Sequence, residues 1–116
     1  MKKIIFVIVA TFLGLQSFCQ IKISIDSVAT HKRENVIVCS EVHGIKSLEK
    51  MTFINLGIEY PNSPLTIVIF AKDKGNFKHS IESTYNGKNI CVTGILQEYK
   101  GSPQIIISKA DGITIQ

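Results

Sequence analysis

The feature that most constrains the fold is a series of short apolar runs, each bounded by turn-forming residues. The runs are rich in Val, Ile, Phe and Thr, and several alternate apolar with polar side chains, as β-strands do. Pro, Gly and Asn stand between them, as in the turn at residues 59–64. The pattern predicts five main strands, at residues 35–42, 51–58, 65–71, 88–96 and 104–108, a half-buried strand or an extended leader at residues 21–25, and a last short strand at residues 113–115.

The connections differ in character. Residues 43–50 and 97–103 are polar and predict loops, the second of them a hairpin loop. Residues 72–84 lack strand character and predict a short helix, in which Phe77 and Ile81, four residues apart, point toward the core. The predicted fold class is therefore mainly β, with one short helix between the third and fourth strands.

This order of elements matches that of an OB-fold, a five-stranded Greek-key barrel. Strands of this length can close around one core, and glycines in or beside the strands allow the bends that closure needs. The segments TFINLG (52–57), TIVIF (66–70), YNGKNICVTG (85–94) and YKGSPQI (99–105) also resemble small OB-fold nucleic-acid-binding-type domains of predicted secreted proteins. The resemblance covers residues 35–115, and it implies a ligand-binding module.

The N-terminal segment has the features of a secretory signal peptide. Lys2 and Lys3 precede twelve uncharged residues (4–15), and the small residues Ser17 and Cys19 precede a predicted cut before Gln20. Twelve helical residues span about 18 Å, less than a bilayer core of about 30 Å, so no stable membrane anchor is expected after cleavage. We therefore predict a signal peptide (1–19), an extended leader (20–34), an OB-fold-like domain (35–116) and a secreted or periplasmic location.

Removal of residues 1–19 lowers the net charge of the part of the chain that remains. The whole chain has a net charge of +4, whereas residues 20–116 hold 11 basic and 9 acidic side chains, a net charge of +2. A charge this small does not by itself indicate a nucleic-acid partner.

No sequence feature indicates catalysis. The predicted mature chain lacks the GxSxG, HExxH, P-loop and GxGxxG motifs, and its acidic residues are scattered singly. We expect no enzyme activity, no cofactor and no metal site. Cys39 and Cys91 stand in β-like runs, and two interpretations stay open: two small strand residues, or a disulfide that closes a loop of about 50 residues.

Candidate ligand-binding residues follow from the face and loops that OB-folds use. Single-stranded nucleic acid needs aromatic rings for stacking and cations for phosphates. Phe53 is the best aromatic candidate, because it falls on the strand face opposite Thr52, Ile54 and Leu56, whereas Phe70 is expected to fill the barrel. The candidates are Phe53, Asn55, Lys46, Lys50, Tyr60, Lys72, Tyr99, Lys100 and Gln104.

Two classes of partner fit these residues. The first is single-stranded nucleic acid, as the resemblance implies. The alternative is an extracytoplasmic protein- or glycan-interaction domain without catalytic activity, since exposed aromatic and polar groups suit sugars and proteins as well as bases.

Overall fold

The fold is mainly β. The computed structural model describes residues 20–58 and 60–116, so the predicted signal peptide lies outside the described residues. Helical structure there consists of α1 (Ile81–Tyr85) and three 3-10 helices, none of them long and apolar enough to cross a membrane. The strands are β1 (Ile21–Ile23), β2 (Asn35–Ser47), β3 (Met51–Leu56), β4 (Leu65–Phe70), β5 (Asn89–Tyr99), β6 (Ser102–Ile106) and β7 (Ile113–Ile115).

Five of the strands pair into a closed ring within one mixed sheet. The ring runs β2, β3, β4, β6, β5 and returns to β2, and all of these pairs are antiparallel except β4 with β6. β1 adds to β2 in parallel and β7 adds to β5 antiparallel. The sheet in the described residues therefore has seven strands, two more than the five predicted main strands. Those five main strands are the members of the ring.

The core lies inside the ring and follows the period-2 alternation of the strands. Ile54 and Leu56 of β3 and Ile67 and Ile69 of β4 have no exposed surface. β2, β5 and β6 contribute Val36, Val38, Ile90, Val92, Leu96 and Ile105, which are also fully buried. Burial of such aliphatic side chains provides the main driving force for closing the ring.

β2 is longer than predicted and changes its partner midway. Its first half pairs with β5 and its second half, to Ser47, pairs with β3. The ladder to β3 is irregular between Val42 and Gly44, where His43 is an extra residue. Such a bulge bends a strand and shifts its alternation. The prediction of a loop over residues 43–50 was wrong, because only residues 48–50 lie outside the strands.

The predicted extended leader is extended only at β1. Residues Ile25–Thr30 form a 3-10 helix, capped by the Ser24 hydroxyl, which accepts a hydrogen bond from the Asp26 amide. Val28 of this helix is 3% exposed and belongs to the core. The leader is therefore part of the packed structure.

The connection between β4 and β5 is only partly helical, in contrast to the prediction. Residues Ala71–Asn76 form a 3-10 helix that ends before Phe77, whereas Ile81 begins α1. Ile81 and Tyr85 are buried in the core, and the ring of Phe77 packs edge-on against Tyr85 with 6.4 Å between centroids. Burial raises the pKa of the Tyr85 hydroxyl above its usual value.

Phe70 does not fill the ring, contrary to expectation. It shares the outward alternation of β4 with Thr66 and Val68, and it is only half-buried. The β4 run is apolar on both faces, so its composition did not reveal which face points inward.

Cys39 and Cys91 are register partners on β2 and β5, and their sulfurs are bonded in the structure. The bond spans a sequence separation of 52 residues. Because the β2–β5 pairing closes the ring, the disulfide links the two sides of that closure.

Gly94 marks a close approach inside the ring. A Cβ atom placed there would lie 2.7 Å from Cγ2 of the buried Ile105. The absence of a side chain at this position therefore lets β5 approach β6 closely.

Candidate ligand-binding groove

A groove of about 610 Å³ lies on the outer surface of the ring. It is formed by the second half of β2, the outward face of β3, Thr66 of β4, residues of the 60–63 turn and the β5–β6 hairpin. Its size falls within the range of small-molecule and cofactor sites.

The hairpin at one edge of the groove is tighter than predicted. β5 continues to Tyr99 and β6 begins at Ser102, so the connection consists of Lys100 and Gly101 alone. Both have positive φ angles, 51° and 82°, the combination that a two-residue hairpin with right-handed strand twist requires. The prediction of a loop over residues 97–103 was therefore too long.

The floor of the groove includes a row of polar groups that adjacent strands place side by side. Asn55 of β3 is paired with Thr66 of β4, which is paired with Gln104 of β6. The Asn55 side chain is nearly covered, at 5% exposed. Its Oδ1 atom accepts hydrogen bonds from the Thr66 hydroxyl at 3.1 Å and from the Ser63 hydroxyl at 3.3 Å. These bonds fix the orientation of the amide.

A second row, two residues along each strand from the first, is centred on Phe53. Phe53 of β3 is half-buried on the outward face, between its register partners Lys46 of β2 and Val68 of β4. Thr52 and Ile54 on either side of it in sequence are fully buried. The alternation predicted for β3 is confirmed, and it places the Phe53 ring in the groove.

The rim of the groove carries exposed aromatic and apolar side chains. Tyr60 is 73% exposed, Tyr99 is 59% exposed and Leu48 is 43% exposed. Tyr99 also has the ammonium group of Lys100 5.4 Å from its ring centroid, a cation–π contact. These exposed side chains can therefore contact a flat partner.

The charge of the groove is positive. Lys46, Lys100 and His43 line it, and none of its lining residues in the described part of the chain is acidic. His43 contacts the carboxylate of Glu41, which lies outside the groove, with 3.1 Å from Nε2 to Oε1. A positive groove with aromatic surfaces favours planar or anionic ligands.

The structure brings together seven of the nine predicted site residues. These are Lys46, Phe53, Asn55, Tyr60, Tyr99, Lys100 and Gln104. Lys50 and Lys72 do not line the groove. Lys50 precedes β3 and Lys72 follows β4, at the end of this hairpin away from the 60–63 turn, where the Lys50 carbonyl accepts a bond from the Ala71 amide.

Sequence reasoning missed several groove residues. Thr66 is the polar residue of an otherwise apolar strand, and that contrast could have indicated that its side chain faces outward. His43 was assigned to a loop, whereas it belongs to β2. Ser63 comes within hydrogen-bond distance of Asn55 only in the folded chain.

The described residues contain no group of three or more His, Cys, Asp or Glu side chains placed to hold a metal ion. The groove's own polar groups are two side-chain amides, hydroxyls, the His43 imidazole and two lysines, which suit hydrogen bonding and charge attraction.

Comparison with known proteins places the fold in a class. No protein-family model matches the sequence, and no curated protein matches it. Solved structures do: the OBody AM1L10 bound to hen egg-white lysozyme has a TM-score of 0.63 at 11% identity, over 85% of this chain and 96% of that chain. The S. pombe Stn1–Ten1 complex gives 0.55 at 13% identity, over 71% of this chain.

An aspartyl-tRNA synthetase from Entamoeba histolytica gives a TM-score of 0.51 at 11% identity, over 78% of this chain. This chain covers 57% of the matched Stn1–Ten1 chain and 20% of the synthetase chain. At these identities the likeness concerns the fold alone. The described residues form an OB-like β domain with a positively charged groove on its ring.

Proposed function

We propose that this chain is a non-catalytic binding module whose groove takes single-stranded nucleic acid. The observation that carries the proposal is the placement of Phe53 beside Lys46 in a groove whose described lining has no acidic residue. Alongside it we infer that the ring is the Greek-key barrel of an OB-fold, a fold that uses this kind of face for oligonucleotides.

Stacking on aromatic rings would supply part of the affinity. Phe53 offers a ring in the groove, and Tyr60 and Tyr99 offer two more at its rim. Base–aromatic stacking contributes about 1–3 kcal/mol per base and tolerates any base sequence. Three rings around one groove therefore support a short single strand as the ligand.

Contacts with phosphate groups would supply the remaining, smaller part of the affinity. Lys46 and Lys100 are the lysines that line the groove among the described residues. Two phosphate contacts on a single strand predict a slope of about −1.4 in a plot of log affinity against log salt. The related fold of an aspartyl-tRNA synthetase, a protein whose name includes a nucleic-acid substrate, is compatible with this proposal.

The experiment uses the tyrosines of the protein as reporters. The chain has no Trp and three Tyr, of which Tyr85 is buried while Tyr60 and Tyr99 are at the groove. Titration of residues 20–116 with dT8 at 20 mM and 150 mM NaCl should quench tyrosine emission saturably. Fluorescence anisotropy of labelled dT8 gives the affinity independently.

Matched variants decide whether the groove is responsible. The double variant Lys46→Ala with Lys100→Ala should weaken dT8 binding and flatten its salt dependence. The control is Lys50→Ala with Lys72→Ala, which removes the same charge outside the groove. Phe53→Ala should weaken binding at both salt concentrations, since stacking is not a charge effect. Absence of dT8 binding at 20 mM NaCl, or equal effects of the two lysine pairs, would contradict the proposal.

A second candidate is a protein partner. The matched OBody is bound to hen egg-white lysozyme, and this chain covers 96% of it. The exposed Tyr60, Tyr99, Leu48 and Ile58 are residues of the kind that protein interfaces bury. A protein ligand would show saturable binding that Tyr60→Ala and Tyr99→Ala reduce and that salt hardly changes.

We propose export for the mature chain. The sequence of residues 1–19 supports it, and N-terminal sequencing of the protein from the extracytoplasmic fraction tests it. A mature chain that begins at Gln20 is expected, and intact residues 1–19 on the mature protein would refute the processing step.

A further inference from the structure

We infer that Asn55 contacts the base in the groove as a fixed hydrogen-bond donor, and that it favours uracil or thymine, which carry a carbonyl oxygen at C4, over cytosine, which carries an amino group there. The inference rests on the proposed function and adds a specificity to it.

The Asn55 amide has one end occupied and one end open. Its Oδ1 atom accepts two hydroxyl protons, from Thr66 and Ser63, and so has little remaining capacity as an acceptor. Its Nδ2 atom has no hydrogen-bond partner among the described residues, and no fully buried side-chain nitrogen or oxygen there is left unpaired. The Nδ2 atom therefore keeps contact with solvent in the groove.

The depth of Asn55 selects which part of a base can reach it. The residue is 5% exposed, so a recessed ring nitrogen cannot approach closely, whereas an exocyclic atom that projects from the ring edge can. Phe53 lies two residues earlier on the same face of β3, so a base stacked on its ring has an edge near Asn55. The Nδ2 donor complements the O4 oxygen of uracil or thymine and opposes the N4 amino group of cytosine.

The two hydroxyl donors favour the observed orientation of the amide, because a rotated amide would lose both hydrogen bonds to Oδ1 and the two hydroxyls would have to act as acceptors instead. Thr66 is held in place as the register partner of Asn55, at 3.1 Å from Oδ1 to Oγ1. The discrimination therefore depends on Thr66 as a positioning residue.

The test compares dU8 with dC8, because uracil and cytosine differ only in the exocyclic group at C4 and in the proton on the adjoining N3. We expect residues 20–116 to bind dU8 roughly three- to tenfold more tightly than dC8, the effect of one net hydrogen bond. The ratio should not change between 20 mM and 150 mM NaCl, because the contact is not a charge contact.

Variants then assign the ratio to Asn55. Asn55→Asp exchanges the open donor for an acceptor and should bring the ratio to one or reverse it. Asn62→Asp is the matched control, since it adds the same charge to the exposed turn beside the groove without lining it. Thr66→Val removes the hydroxyl that fixes the amide and should reduce the ratio without adding charge.

The outcomes separate this inference from the function on which it rests. Failure of both dU8 and dC8 to bind at 20 mM NaCl overturns the proposed function and the inference together. Equal affinities for the two, or tighter binding of dC8, overturn the inference alone. Should Asn55→Asp not fold, the dU8 to dC8 ratio of the unmodified protein and of Thr66→Val still decides.

Discussion

Replacement of both Cys39 and Cys91 by serine is expected to lower the free energy of unfolding by about 4 kcal/mol. The magnitude follows from the 52-residue separation of the two cysteines. In the chain-entropy model, a cross-link of that span removes about 14 cal/mol/K of conformational entropy from the unfolded chain. Serine is close to cysteine in size, and both positions are only half-buried, so lost packing adds little.

The location of the bond explains why its loss should be felt throughout the domain. The closed loop contains β3, β4 and α1, and its two ends are the strands that close the ring. Opening the β2–β5 pairing therefore requires the strands on both sides of the bond to separate. Without the bond, backbone hydrogen bonds and apolar burial alone oppose that separation.

Urea denaturation followed by far-UV circular dichroism measures the effect. With a slope of about 2 kcal/mol/M, a loss of about 4 kcal/mol moves the midpoint down by about 2 M. Either single serine variant, kept under reductant, should lose as much as the double variant, because either one breaks the bond. A thiol reductant should bring the unmodified protein to the same midpoint.

Two results would refute this reasoning. A loss of less than about 1 kcal/mol in the double variant would mean that the bond hardly constrains the unfolded chain. Single-variant losses that add up to the loss of the double variant would show that the two side chains act independently.

Three further perturbations test the packing. Gly94→Ala puts a Cβ atom 2.7 Å from Ile105 and should lower the free energy of unfolding, measured by urea denaturation, by about 1–3 kcal/mol. The control Gly75→Ala should leave it unchanged, because a Cβ atom at that position meets open space. Val28→Ala should lower it by about 1.5–3 kcal/mol, whereas an unchanged midpoint would place the leader outside the core. The raised pKa of Tyr85 favours its neutral form in the folded state, so stability should fall as pH rises through about 10. Thermal unfolding at pH 8 and pH 11 should show a smaller fall for Tyr85→Phe, and equal falls would contradict the assignment.

The alternation of β3 could be predicted because one face of that strand is buried and the other is not. Thr52, Ile54 and Leu56 all point inward, so the position of Phe53 and Asn55 on the opposite face follows from period 2 alone. The two groove residues with the clearest chemistry could therefore be predicted from the sequence.

The same reasoning failed on β4. Val68 faces outward yet is 3% exposed, so apolar residues occupy both faces and the sequence holds little alternation from which to assign Phe70. Composition reports that a residue is apolar, whereas its direction is set by the neighbouring strands.

Long-range pairing accounts for the other differences. The Cys39–Cys91 bond depends on the register of β2 against β5, and the burial of Val28 depends on where the leader returns to the ring. Neither is encoded in a local run of residues. Lys50 was assigned to the site because it stands in a predicted loop, and Lys72 because it follows a predicted strand, yet both lie at the end of the β3–β4 hairpin away from the 60–63 turn.

The extra residue, His43, shifts the inward–outward alternation of β2 by one residue. Before it, even-numbered positions such as Val38 and Val42 point into the ring, and after it Ile45 does, opposite the inward-facing Ile54. Lys46 reaches the groove only because of this shift. Insertion or deletion of one residue at this point would exchange the inward and outward side chains of residues 44–47 while leaving the β2–β5 closure in register. The number of residues in β2 at this point therefore determines whether Lys46 faces the groove. It does so without changing the β2–β5 pairing that closes the ring.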